Sequence, residues 1–147
     1  VTVTLVEAVR DGWGWQGIDP EAVLAVSPFG HLIVCDQAGA FWYLDPELRS
    51  LERIASDEAG LFAYMNDPEV REVWLAEALV ERARAAIGPP GEGRCYSLSI
   101  PALLRGDYAS NDFWHPPVNE LIGAMGDIER QTRDLPDGSV VKLKVKD

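Results

Sequence analysis

The chain has 147 residues, 47% of them hydrophobic, which is enough for one sizeable core and reads as a single domain over residues 1–147. Its 13 Lys and Arg against 24 Asp and Glu leave a net charge of −11, which would repel nucleic-acid phosphates and an anionic membrane and would suit a basic partner. No apolar run approaches the ~20 residues of a membrane span and no basic-then-apolar leader is visible, so the expectation is a cytoplasmic protein that binds neither nucleic acid nor membrane.

In chain order, Val1–Val6 alternates valine or leucine with threonine and predicts a short strand or pairing arm. Gly12, Gly14 and Gly17 then interleave with Trp13 and Trp15, and the indoles need cover. Asp19-Pro20-Glu21 carries the signals of a helix start: a capping acid, proline at the first position and a first-turn acid. Ala25–Ile54 holds short apolar runs cut by turn residues, the pattern of a small antiparallel meander. Its strands are predicted at His31–Cys35, Ala40–Leu44 and Arg49–Ile54, with Asp36-Gln37-Ala38-Gly39 as a turn. Neighbouring aromatics in Phe41-Trp42-Tyr43 point to opposite faces, so one face is core and the other is covered or sticky.

Ser56-Asp57-Glu58 caps a helix that runs to about Tyr64. Asn66-Asp67-Pro68-Glu69 then opens the longest helix, from Pro68 to Ile87, on which Val73, Ala76, Leu79, Val80, Ala83 and Ile87 recur at spacings of three and four. Gly88-Pro89-Pro90-Gly91 ends it. Arg94–Ile100 predicts a strand, Gly106–Trp114 an irregular segment, and Pro116-Pro117 the start of a helix with Val118, Leu121, Ile122, Met125 and Ile128 on one face. Asp134–Gly138 reads as a turn, and Val140–Val145 as a last strand whose lysines suit a solvated edge. A sheet this small needs helices over it, so the fold class is α+β, a small antiparallel meander packed by three to four helices.

Enzyme signatures are missing. His31 and His115 are the only histidines, and neither stands in a ligand spacing with the two cysteines, Cys35 and Cys95, which read as buried free thiols. There is no nucleophile elbow, phosphate loop or dinucleotide fingerprint. The expectation is a non-enzyme without metal or cofactor. Residues 1–73 hold four basic and thirteen acidic groups, so the N-terminal half carries −9 of the net charge.

Several residues carry a family resemblance by their order and spacing. They are Trp15-Gln16-Gly17-Ile18, Phe29-Gly30, Gly39, Trp42, Asp45-Pro46-Glu47, Cys95-Tyr96, Ile100-Pro101-Ala102, Gly106-Asp107-Tyr108, Glu120-Leu121-Ile122, Gly126-Asp127-Ile128 and Asp134–Gly138. From about Trp13 to Val145 the chain resembles the bacterial DUF1851 family, whose members include the C-terminal domain of the type VI secretion immunity protein Tdi1. The resemblance implies a fold akin to the Smi1/Knr4-like immunity folds and a role in binding a cognate toxin, a DNase in the Tdi1 case.

On that reading an acidic surface occupies a basic cleft of the toxin without catalysis. Charge and aromatic placement single out Asp36, Phe41, Tyr43, Asp45, Glu47, Glu52, Asp57 and Glu58 as toxin-binding candidates. Asp107, Tyr108, Asn111 and Trp114 are candidates for a recognition loop. A housekeeping interaction or regulatory adaptor module of the same fold, able to form a homodimer, is the first alternative. A hydrolase with an unlisted constellation is the second.

Overall fold

In the computed structural model, which describes residues 4–98 and 112–133, the first element is a helix where the alternating N-terminus had predicted a strand. The Thr4 hydroxyl accepts from the Glu7 amide at 3.1 Å while the Glu7 carboxylate accepts from the Thr4 amide, a capping box that opens α1 (Leu5–Trp13). Ala8, Val9, Gly12 and Trp13 form its buried stripe. A 3-10 turn at Gly14–Gln16 and Gly17, at φ 101°, lead into the sheet.

The sheet has four antiparallel strands in the order β1 (Pro20–Val26), β2 (Leu32–Asp36), β3 (Phe41–Asp45) and β4 (Ser50–Ala55). The expected meander is present with one strand more. Pro20-Glu21 begins β1, directly after Asp19, and not a helix: Pro20 pairs with Asp36 of β2, and proline is tolerated at the first position of an edge strand. On one face Leu32, Val34 and Leu44 are buried, with Trp42 packed beside them. This face meets α1, α4 (Glu77–Ile87) and α5 (Val118–Thr132) in the main core, whose other members include Val9, Trp13, Phe29, Tyr96, Leu121, Ile122 and Met125. The opposite face carries Phe41 and Tyr43 and is covered by α2 (Glu58–Met65) and α3 (Pro68–Leu75).

The helix expected over Pro68–Ile87 is two helices. Ala76, at φ 45° and ψ 46°, is left-handed and turns the chain between α3 and α4 (Glu77–Ile87). A non-glycine residue in this conformation is strained, by about 1–2 kcal/mol. We expect Ala76→Gly to raise stability by about 0.5 kcal/mol, whereas Ala85→Gly within α4 costs about 1 kcal/mol, the ordinary glycine penalty of a helix interior. Urea melts of the two variants check this.

Two short strands, β5 (Ser97–Leu98) and β6 (Phe113–Trp114), pair antiparallel beside the core. The first and last described helices, α1 and α5, cross where Gly12 faces Gly126, and the Trp13 indole donates to the Ile122 carbonyl at 3.0 Å. The architecture is thus the expected α+β one, with five α-helices among the described residues. The predicted Asp134–Gly138 turn and the Val140–Val145 strand lie outside the described residues.

Candidate functional site: an acidic aromatic cleft over a buried His-Asp-Glu cluster

The turns of the meander are closed by carboxylates. Asp36 Oδ1 accepts from the Ala38 and Ala40 amides at 2.9 Å each, and Oδ2 accepts from the Trp42 indole at 2.8 Å. Burial alone would raise this carboxyl, but those three donors and the nearby Arg53 charge outweigh it and hold Asp36 below the usual carboxylate range. At the next turn Asp45 Oδ1 accepts from the Glu47 and Leu48 amides at 2.9 and 3.1 Å. Arg49 follows in a left-handed conformation, φ 53°, with its Nε 3.4 Å from Glu129 Oε2 on α5.

The pairing of β2 with β3 sets Leu32 opposite Leu44, and one further step puts His31 opposite Asp45. His31 Nδ1 lies 2.7 Å from the Tyr43 hydroxyl, and Nε2 lies 3.2 Å from Glu47 Oε1 and 3.4 Å from Asp45 Oδ1. The neutral ring satisfies this arrangement with Nε2–H donating to the carboxylates and Nδ1 accepting from the phenol. His31, Asp45 and Glu47 are 4, 6 and 9% exposed, so the cluster is largely buried.

Above it, between β3–β4 and α2–α3, lies a cleft of about 280 Å³. Tyr43, Asp45, Glu52, Tyr64 and Glu69 supply its polar wall, and Leu48, Val70 and Val73 its apolar one. Tyr43 packs edge-on against Tyr64 and Trp74, at centroid distances of 6.3 and 5.8 Å. Burial, then Asp45, Tyr64 and Glu47, push the Tyr43 phenol up; burial, then Glu52 and Asp67, do the same for Tyr64. Both phenols therefore remain hydrogen-bond donors at neutral pH. A second, wider groove of about 1090 Å³ opens at the α3–α4 break, with Glu72, Glu77 and Glu81 against Val73, Leu75 and Leu79.

The sequence-derived candidates divide by burial. Asp36, Phe41, Tyr43, Asp45 and Glu47 were expected on an accessible acidic face, and the structure corrects this: all five are buried. The carboxylates close turns or face His31, and Tyr43 packs against Tyr64 of α2 and Trp74 of α3; Tyr43 and Asp45 reach the cleft, while Asp36, Phe41 and Glu47 are not among its lining residues. Glu52, Asp57 and Glu58 are exposed. Of these, Glu52 lines the cleft, and Asp57 caps α2 by accepting from the Gly60 amide at 2.8 Å.

Trp114 is 39% exposed, with its indole donating to the Leu98 carbonyl at 3.0 Å. Asp107, Tyr108 and Asn111 lie outside the described residues. Residues the sequence reading passed over also reach the surface: Leu48, Phe62 and Leu75 are 64, 73 and 39% exposed, and Val73, expected on the apolar face of the long helix, is 55% exposed. Phe62 and Val73 stand out because α2 and α3 bury no side chain fully, which a helical wheel of an eight-residue segment signals only weakly.

Both cysteines are free, Cys95 buried as expected and Cys35 only half-buried, and both thiols are raised. Burial and Glu47 push Cys95 up to about 12, and burial, Glu21, Asp36 and Glu58 raise Cys35. Neither supplies a thiolate at neutral pH. No helix among the described residues is long and apolar enough to cross a membrane.

No curated protein matches the chain. The family model described as T6SS immunity protein Tdi1, C-terminal, matches residues 55–129, from the last residue of β4 into the final turns of α5. That span includes both walls of the α3–α4 groove and the helical side of the cleft. The chain belongs to the family of the C-terminal region of the type VI secretion immunity protein Tdi1.

Proposed function

We propose that this protein acts in the cytoplasm as an immunity protein that binds a cognate secreted toxin and neutralises it by occlusion, without catalysis. Membership of the Tdi1 C-terminal family is the observation that carries the reading. The surface around α2 and α3 supports it physically. There, Phe62 of α2 and Val73 and Leu75 of α3 are exposed, and so are the carboxylates Glu52, Asp57, Glu58 and Glu69 on the same segment of the chain. With a net charge of −11, such a surface suits a toxin domain whose active cleft is basic, as a nuclease cleft is. The apolar side chains hold the complex, and the carboxylates steer it and exclude substrate.

The test is a binding titration between this chain and its cognate toxin domain at low and high salt. We expect Glu52→Lys with Glu58→Lys to weaken binding at least tenfold at low salt, and much less at high salt, because rim charges act mainly on association. Asp57 is left intact so that the α2 cap survives. Phe62→Ala should slow nothing in association and speed dissociation. Unchanged affinity in both variants would overturn the placement of the interface. A stable homodimer with Phe62 and Val73 buried, and no toxin bound, would favour the adaptor reading.

A further inference from the structure

Two carboxylates buried side by side against one imidazole are an unusual arrangement for a hydrogen-bonded core. His31, Asp45 and Glu47 are all buried, and carboxylate oxygens held away from water are costly unless a partner matches them. The donor atoms also have a definite spacing. One atom each from His31, Asp45 and Glu47 lie within 4.8 Å of one another. Nε2 is 3.2 Å from the Glu47 oxygen and 3.4 Å from the Asp45 oxygen. Nitrogen and oxygen ligands bound at 2.0–2.2 Å around a tetrahedral ion sit about 3.4 Å apart.

The surroundings have the features of a metal shell. The far ring nitrogen of His31 is fixed by the Tyr43 hydroxyl at 2.7 Å, and Asp45 is oriented by two backbone amides. Such partners hold ligands in place around metals. Tyr43 and Asp45 also line the cleft, so the cluster is reached from solvent through it.

We propose that His31, Asp45 and Glu47 form a binding site for one divalent transition-metal ion, with Zn²⁺ the ion this donor set fits. Binding takes the Nε2 lone pair, so the ring proton resides on Nδ1 and is donated to the Tyr43 oxygen, the reverse of the metal-free arrangement. Three protein ligands leave the fourth position for water or for a side chain entering by the cleft. The hard oxygen pair also admits Mn²⁺, while the imidazole disfavours Mg²⁺ and Ca²⁺.

The full chain, stripped with a chelator and dialysed, is titrated with zinc chloride by calorimetry and melted with and without the ion. We expect one equivalent bound and a raised melting temperature, since an ion that binds only the folded state stabilises it. Long-range nitrogen-15 spectra of the His31 ring should show the proton moving from Nε2 to Nδ1 on zinc addition. Glu47→Gln keeps the side-chain volume and an acceptor for the ring, and should weaken zinc binding at least tenfold while leaving the metal-free melt near wild type. The ring spectrum reads the site in the unaltered protein, so the test does not depend on the variant folding. Absence of uptake at excess zinc overturns the proposal. So does uptake that leaves the His31 ring unchanged, because the ion then sits elsewhere.

Discussion

Gly126→Ala should destabilise the protein by about 3 kcal/mol or more, the upper range for overpacking a well-fitted core. A Cβ built at Gly126 meets backbone on the neighbouring helix: it lies 2.7 Å from the Gly12 carbonyl carbon and closer still to its oxygen. It also lies 2.8 Å from Trp13 Nε1, whose hydrogen bond to Ile122 it would disturb. Backbone atoms cannot rotate away as a flexible side-chain tip can, so α1 and α5 must separate, and the fully buried Trp13 loses its fit. In a denaturant melt the midpoint should fall, and a thermal scan should drop by roughly 6–12 °C for a chain of this size. Gly123 on the same helix supplies the control, because a Cβ there meets nothing within 4 Å. Gly123→Ala should hold or gain up to about 1 kcal/mol from helix propensity. Similar losses at both positions would mean that the glycine pair does not set the helix spacing.

Asp36→Ala should cost about 3 kcal/mol, since it leaves the Ala38 and Ala40 amides and the Trp42 indole without their acceptor. The same contacts predict a pH dependence. The Asp36 carboxyl is lowered in the folded state, so the unfolded chain binds the proton more readily. Its contribution is therefore complete above the unfolded value of about 4 and is lost as pH falls through the lower folded value. Wild type should lose stability along that acid limb, and Asp36→Asn should show a shallower one. An unchanged acid limb in Asp36→Asn would show that other carboxylates carry it.

The meander was legible because its turn is chemical: Asp36 closes it with its side chain and Gly39 supplies φ 87°. Other elements were legible in part. The Thr4-to-Glu7 spacing is a capping-box signature, yet the valine-threonine alternation before it suggested a strand. Asp19-Pro20-Glu21 carried real helix-start chemistry, which pairing with β2 overrode. Nothing in the sequence marks Ala76 as a break, because the residue is a good helix former and the apolar spacing runs on across it.

The acidic candidates were misread for a related reason. A carboxylate that closes a turn looks the same in a sequence as one that faces solvent, so Asp36, Asp45 and Glu47 were placed with Glu52 and Glu58. The His31 cluster was recoverable in principle. Once the turn at Asp36–Gly39 is accepted, the hairpin register follows, and it carries His31 to Asp45 across thirteen intervening residues. Motif spacings search along the chain, whereas this site is assembled across a hairpin.

The crossing of α1 and α5 bears on the order in which the chain folds. Trp13 and Ile122 are 109 residues apart in sequence, whereas each pairing in the meander closes within a few tens of residues. Bringing such distant segments together costs about 1.5 kcal/mol more loop entropy than closing a ~20-residue hairpin, so α1 and α5 are expected to dock after the sheet has formed. Interactions made after the rate-limiting step act on escape from the native state. Gly126→Ala should therefore shorten the lifetime of the folded protein while leaving its refolding rate nearly unchanged. The residues that join α1 to α5 would then govern how long the protein persists, and the meander how quickly it forms.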